Sequence, residues 1–148
     1  MCSTQHPDLN SRSNMMIASL MGAVAFQKGL GVVHSLAHPL SSLLDTHHGL
    51  ENAINLTYGM AFNFEGNEEK FDRMGLAFGL GSHSGESLIA YLSELNQKLN
   101  LPGRLSEIGV REDHIPTLST LAEADFAHPN NPKPVTRSDF EALYRKAL

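Results

Sequence analysis

The chain has 148 residues and a formal net charge of −5, with 41% hydrophobic and 18% charged residues. This composition is typical of a globular domain large enough to bury its own core. The excess of acidic residues, with no run of clustered Lys and Arg, argues against nucleic-acid binding. The single cysteine, Cys2, excludes an intrachain disulfide and suits a reducing compartment, so we expect a cytoplasmic protein.

The longest apolar stretch runs from Met15 to Phe26 and is shorter than the ~20 residues that span a bilayer. The polar start of the chain also lacks the cationic cluster and cleavage site of a signal peptide. We therefore expect no membrane association, and we predict a helix from about Arg12 to Lys28 that Gly29 ends. Because this helix is apolar nearly all round, we expect it to be central and buried.

Helical periodicity continues along the chain, and no alternating strand pattern persists. After the first helix, we predict a second from about Gly31 to Leu44, with a disturbance at Pro39, and a third from His48 through ENAINLTYGMAFN. A fourth begins at the N-cap Asn67 and continues through FDRMGLAFGL, and a fifth has the apolar face Leu88, Leu92, Leu95 and Leu99. The last two run over about Glu112–Ala124 and from Thr136 or Ser138 to the end. A single all-α domain of about seven helices over residues 1–148 follows from this pattern.

The last helix carries two more local signals. Ser138 and Glu141 have the spacing of a capping box, and Phe140, Leu143, Tyr144 and Ala147 form its apolar face. The segment HPNNPKP before it is a loop by composition.

Four of the eight histidines lie between positions 34 and 48. His34 and His38 are four residues apart and share a helix face, while His47 and His48 stand just before the next helix. Such imidazoles bind one transition metal or flank one pocket, or they are polar surface and hydrogen-bonded core residues. Two imidazoles leave a metal unsaturated, because catalytic zinc usually has three protein ligands. The nearby carboxylates of Asp45 and Glu51 have no clear position in such a site.

The segment GLGVVHSLAHPLSSLLDTHHGLENAINLTYGMAFN closely resembles the signature of the iron-dependent (group III) alcohol dehydrogenases. The matching residues are Gly31, His34, Ala37, His38, Pro39, Leu40, His48, Gly49, Asn52, Ala53 and Leu56. The resemblance extends back through MMIASLMGAVAF and forward to the Asn-Pro-Lys-Pro element near the carboxyl terminus. Ser41, Ser42 and Thr57 depart modestly from the pattern.

The resemblance implies the all-α carboxyl-terminal domain of these enzymes, which has a dehydroquinate synthase-like fold. In the family this domain holds iron(II), sometimes zinc, through one Asp and three His. His34 and His48 match two of these histidines. His38 matches the histidine beside the nicotinamide and the substrate that relays a proton, so we expect it to be both catalytic and cofactor-binding. NAD(P) and a small alcohol or aldehyde are the implied cofactor and substrate.

Two features of the family do not occur upstream of His34: the Asp-x-x-x-His pair that completes the metal site, and the glycine-rich turn that binds the dinucleotide. The resemblance therefore implies that residues 1–148 form a truncated metal-binding domain without the amino-terminal dinucleotide-binding domain. We expect such a chain to be inactive by itself.

Two alternatives stay open. In the first alternative, the chain is a non-catalytic helical module or a truncated gene product. It then self-associates as a homo-oligomer or binds a partner through exposed apolar surface. In a weaker alternative it is a self-contained metalloprotein in which His83 or His114 completes the site. Otherwise the isolated histidines His6, His83, His114 and His128 are expected at the surface.

Overall fold

A computed structural model describes residues 8–81 and 85–148 of the chain. In these ranges the chain forms seven α-helices and no strand, which confirms the predicted all-α fold. The helices are α1 (Leu9–Ala25), α2 (Val32–Leu44), α3 (His48–Phe64), α4 (Glu68–Ala77), α5 (Gly85–Lys98), α6 (Ile115–Glu123) and α7 (Arg137–Ala147). Short 3-10 turns cover Phe26–Lys28, Leu105–Ile108, Glu112–His114 and His128–Asn130.

The chain divides into two compact units, Met1–Leu30 and Gly31–Leu148. The first contains α1, whose amino terminus is capped by Asp8 through a 3.0 Å hydrogen bond from the Ser11 backbone N–H. No side chain of α1 is buried, so the expectation of a buried central helix is wrong. Within residues 8–30, the described part of this unit, no second α-helix covers these apolar side chains.

No single helix in the described part of the chain is long and apolar enough to cross a membrane. The required length and apolar composition are reached only when two consecutive segments, Leu9–Lys28 and Val32–Leu44, are taken together.

The second unit is built around one apolar core to which α2, α3, α6 and α7 all contribute. Tyr144 and Phe140 of α7 are the largest fully buried side chains. The predicted apolar face of α7 is therefore confirmed. The core comprises Val32, Leu36, Leu40, Ile54, Leu105, Val110, Ile115, Leu118, Ala122, Phe140, Leu143, Tyr144 and Ala147.

Helices α2 and α3 lie in close contact because Gly59 has no side chain. A Cβ at Gly59 would lie 2.6 Å from a methyl carbon of Val33 and 3.3 Å from one of Val32. Pro39 is buried within α2, and the helix continues through it to Leu44 despite the predicted disturbance. The missing proline N–H removes one helical hydrogen bond without ending the helix.

The capping box of α7 lies two residues before its predicted position. Thr136, in extended conformation, is the N-cap, and the Asp139 backbone N–H donates to its hydroxyl at 3.3 Å. In return the Thr136 N–H donates to the Asp139 carboxylate at 2.8 Å. Ser138 is already helical, so it cannot take the extended backbone of an N-cap. Glu141 instead forms ion pairs with Arg137 and Arg145.

A buried hydrogen bond joins α7 to α2, in which the Tyr144 hydroxyl donates to the Leu36 carbonyl at 2.8 Å. Burial raises the pKa of Tyr144 far above its usual value, and the Glu51 and Asp125 carboxylates raise it further. The hydroxyl therefore stays protonated and available as a donor.

We expect Tyr144→Phe to lower the free energy of unfolding by about 1 kcal/mol, because it removes one buried hydrogen bond and keeps the ring. Urea denaturation followed by circular dichroism measures this change. Tyr58→Phe is the matched control, since the Tyr58 hydroxyl donates to the Gly103 carbonyl at 3.0 Å in an exposed position. If Tyr58→Phe lowered the free energy of unfolding as much as Tyr144→Phe or more, the buried hydrogen bond would contribute no more than the exposed one, contrary to this prediction.

Candidate functional site

The side-chain amide of Asn131 holds the amino terminus of α2. Its oxygen accepts from the Val32 backbone N–H at 3.1 Å and from the Asn63 amide at 2.9 Å. Its nitrogen donates to the Asn63 side-chain oxygen and to the Lys133 carbonyl, both at 2.7 Å. Both donors and both acceptor positions of the amide are thus used. A Cβ at Gly31 would lie 2.8 Å from the Asn131 oxygen, so only glycine fits beside it without displacement.

Three imidazole rings meet where α2 faces the start of α3. The ring centroid of His34 lies 5.7 Å from that of His38 and 5.5 Å from that of His48, and the His38 and His48 centroids are 5.3 Å apart. The predicted site residues His34, His38 and His48 therefore lie together, and we call them the histidine cluster. Its formation follows from the four-residue spacing on α2 and from the position of His48 as the first residue of α3.

A buried carboxylate and an amide surround His48. Glu51 is fully buried and accepts from the hydroxyls of Ser41, at 2.6 Å, and Thr46. One of its oxygens lies 3.8 Å from Nδ1 of His48. On the other side of the ring, the Asn52 amide nitrogen is 2.8 Å from Nε2. An amide nitrogen only donates, so Nε2 carries the lone pair and the neutral ring carries its proton on Nδ1, towards Glu51.

His38 is anchored by a carboxylate from a different part of the chain. Its Nδ1 lies 2.8 Å from Oδ2 of Asp125, and its ring also stacks on Phe126 with centroids 5.6 Å apart. The other carboxylate oxygen of Asp125 accepts from the Ser35 hydroxyl at 2.6 Å and the Ala127 backbone N–H at 2.9 Å. Burial raises the pKa of Asp125, but these hydrogen bonds outweigh burial and bring the pKa below its usual value. Asp125 is thus a carboxylate that accepts at both oxygens.

An open groove of about 340 Å³ runs beside His38. Its walls come from α2, the end of α6 and the segment that follows α6. The lining residues are His38, Pro39, Ser42, Leu121, Ala124, Asp125 and Phe126. The groove gives a small molecule access to the His38 ring.

The other histidines lie outside the cluster or outside the described residues. His47 is the N-cap of α3, where its Nδ1 accepts from the Gly49 N–H at 3.2 Å. His114 accepts from the Arg111 N–H, and His128 contacts the Glu123 carbonyl. His6 and His83 belong to the ranges that the structure does not describe. Within residues 8–81 and 85–148, no group of three or more His, Cys, Asp or Glu is placed to hold a metal ion.

The sequence matches the carboxyl-terminal domain of the Fe-containing alcohol dehydrogenase family over residues 2–148. This chain belongs to that family. It is 33% identical over 150 residues to 4-hydroxybutyrate dehydrogenase of Cupriavidus necator and 33% identical over 148 residues to 1,3-propanediol dehydrogenase of Klebsiella pneumoniae. Each alignment covers 95% of this chain, but only 39% and 38% of the two dehydrogenases.

The fold agrees with the family as well. A crystal structure of a 1,3-propanediol oxidoreductase superposes with a TM-score of 0.77 at 30% identity, covering 80% of this chain and 33% of that one. The chain therefore corresponds to the helical carboxyl-terminal part of an iron-containing alcohol dehydrogenase, and spans about two fifths of the length of the curated relatives above.

Sequence reasoning considered Glu51 without placing it in the site, and it did not find Asp125 or Asn131 as site residues. Asp125 lies 87 residues after His38 and Asn131 lies 99 residues after Val32, so no local spacing connects them. Glu51 stands three residues after His48, a spacing that places both on one helix face. That spacing was the available signal for Glu51.

The pKa of His34 lies below its ordinary value of 6.5, because the ring is partly buried and because His48 and His38 lie close by. The nearby His48 ring is one cause of this lowering, so we expect His48→Gln to raise the pKa of His34. NMR titration of the metal-free chain measures this shift. His114→Gln is the control and leaves the pKa of His34 in place. An unchanged or lower pKa in His48→Gln would contradict the proximity of the two rings.

Proposed function

We propose that this chain contributes part of the metal and substrate site of an NAD(P)-dependent iron-containing alcohol dehydrogenase. In this proposal His34 and His48 bind the metal, and His38 contacts the nicotinamide and the substrate and moves a proton. The observation that carries the proposal is the histidine cluster, with ring centroids 5.3–5.7 Å apart. The proposal also places the complete protein in the cytoplasm.

The donor types in the cluster fit a divalent transition metal such as iron(II) or zinc, both of which imidazole nitrogen binds. His48 has the protonation pattern of a metal ligand, because Nε2 carries a lone pair while Nδ1 faces the buried Glu51 carboxylate. Histidine ligands commonly donate their other ring N–H to such a carboxylate. The Asn52 amide now occupies the Nε2 lone pair, so its side chain has to rotate when that nitrogen binds a metal.

His34 suits the same role. Its lowered pKa keeps the ring neutral near pH 7, and a metal binds only the neutral imidazole. Together the two histidines would supply part of the ligand set of the metal. The remaining ligands have to come from residues that the described ranges do not place nearby.

When bound, the metal supplies Lewis-acid polarisation of the alcohol or aldehyde oxygen. The chain's own residues then orient the substrate and handle its proton. His38 lines the groove, and its Nδ1 is held by Asp125, so its Nε2 is left to exchange a proton with the substrate hydroxyl or a water. The stacked Phe126 and His48 rings restrict the rotation of His38.

The substrate class rests on the relatives, which are named for oxidation of 4-hydroxybutyrate and 1,3-propanediol. We infer a small alcohol or the corresponding aldehyde, with the nicotinamide dinucleotide bound by a segment beyond the matched carboxyl-terminal domain.

We expect the purified chain to take up zinc through His34 and His48. Calorimetric titration with zinc chloride measures the affinity, and anaerobic titration with iron(II) repeats it. His34→Ala/His48→Ala should weaken zinc binding by more than about tenfold, since even the loss of an outer partner of a metal ligand costs about 10–100-fold. His114→Ala is the matched control and should bind zinc as the unaltered chain does. Equal zinc affinity in the unaltered chain and the double variant would refute the ligand assignment.

The chain by itself should show no alcohol oxidation, because two imidazoles do not complete the site. The assay contains the purified chain, iron(II) or zinc, NAD or NADP, and 1,3-propanediol, with formation of reduced cofactor followed by absorbance. The blank contains the metal without protein. Turnover above this blank would contradict the prediction, because it would show that the chain oxidises the alcohol without residues from a further segment.

A second candidate function is a non-catalytic helical module that self-associates. It is favoured by the apolar side chains of α1, of which Leu9, Met16 and Leu20 are 79%, 75% and 65% exposed. Exposed apolar patches of this kind commonly mark interaction surfaces.

If self-association is the function, the chain should form oligomers in multi-angle light scattering, and Met16→Lys/Leu20→Lys should return it to a monomer. Both residues lie on one face of α1 because they are four apart. The matched control, Ser13→Lys/Ser19→Lys, adds the same charge to exposed positions of α1 and should keep the oligomer. A monodisperse monomer of the unaltered chain would speak against this candidate.

A further inference from the structure

We infer that Asp125 is the positioning residue of His38: it fixes the ring in the tautomer with the proton on Nδ1, and it thereby makes Nε2 the proton-accepting nitrogen. The tautomer assignment stands on geometry alone, while its catalytic consequence rests on the proposed function of His38.

The hydrogen-bond geometry at Asp125 determines the tautomer. Nδ1 of His38 lies 2.8 Å from Oδ2 of Asp125, whose side chain is 9% exposed. An ionised carboxylate only accepts, so Nδ1 has to carry the hydrogen. In a neutral imidazole the other nitrogen, Nε2, then holds the lone pair and points away from Asp125.

Asp125 is itself held by two donors, so it imposes the orientation on His38 rather than following it. The Ser35 hydroxyl donates to Oδ1 at 2.6 Å, and the Ala127 backbone N–H donates to the same oxygen at 2.9 Å. Ser35 is fully buried and lies on α2, one turn before His38. The carboxylate therefore links α2 to the segment after α6, with Oδ2 left for His38.

This arrangement makes Asp125→Asn an informative substitution of nearly identical shape. The Ala127 N–H still requires an acceptor, so the amide oxygen of the variant takes the position of Oδ1. The amide nitrogen then occupies the position of Oδ2 and faces Nδ1 of His38. Because this nitrogen donates, Nδ1 has to accept, and the proton of the ring moves to Nε2.

Long-range proton–nitrogen NMR of the ¹⁵N-labelled, metal-free chain distinguishes the two tautomers by the shifts of the ring nitrogens. The measurement is made at about pH 9, well above the ordinary histidine pKa of about 6.5. The His38 signals are identified by their loss in His38→Gln. We expect the Nδ1–H form to be the major tautomer in the unaltered chain and the minor one in Asp125→Asn.

Ser35→Ala is the control for a purely structural effect. It removes one partner of Asp125 but keeps the Ala127 N–H and the carboxylate, so the Nδ1–H tautomer should persist. Retention of the Nδ1–H form in Asp125→Asn would overturn the inference. An Nε2–H form in the unaltered chain would overturn it too, and this result does not depend on whether a variant folds.

Zinc titration separates this inference from the proposed function. Asp125 is not among the proposed ligands, so Asp125→Asn should bind zinc within about twofold of the unaltered chain while its tautomer inverts. Failure of the unaltered chain to bind zinc through His34 and His48 would refute the metal role and leave the tautomer result standing. Loss of zinc binding in Asp125→Asn, with uptake by the unaltered chain intact, would show that Asp125 does more than position His38.

Discussion

The amide of Asn131 is the contact on which the placement of α2 depends. A helix begins with backbone N–H groups that have no partner within the helix, and Asn131 accepts from one of them at Val32. The proline that follows favours an extended backbone at Asn131, which has φ −65° and ψ 141°. Because the reciprocal amide pair with Asn63 also ties this segment to α3, one side chain sets α2 against its neighbour.

With its amino terminus fixed, α2 has one face in the apolar core and another at the histidine cluster. Val32, Leu36 and Leu40 are buried in the core, whereas His34 and His38 lie at its edge, partly exposed. Gly59 allows α3 to approach this helix closely, and a connection of three residues brings His48 to the same edge. The cluster therefore results from the packing of α2 against its neighbours, which leaves the His34 and His38 rings at a partly exposed edge of the core.

The sequence predicted the parts of this arrangement that depend on neighbours along the chain. The helices, the shared face of His34 and His38, and the position of His48 at a helix start all follow from periodicity and spacing, and membership of the iron-containing alcohol dehydrogenase family was recognisable from the histidine-rich segment. The carboxylate of Asp125 was not predictable, because it reaches His38 only through the packing of α6 on α2. The burial of α1 was wrongly expected, since an apolar helix is buried only where another element covers it.

The span of chain between the histidine cluster and its anchors has a consequence for local unfolding. The rings are brought together by α2 and α3, which are neighbours in sequence, whereas Asp125 and Asn131 bind from 87 and 99 residues away. Opening limited to residues 125–127 would break only the few hydrogen bonds of Asp125 and would leave Asn131 in place between α2 and α3, as expected for a small cooperative unit. The rings would then stay near one another while His38 lost its fixed orientation. The proximity of the three rings and the fixed orientation of His38 would thus be lost with different free energies of opening.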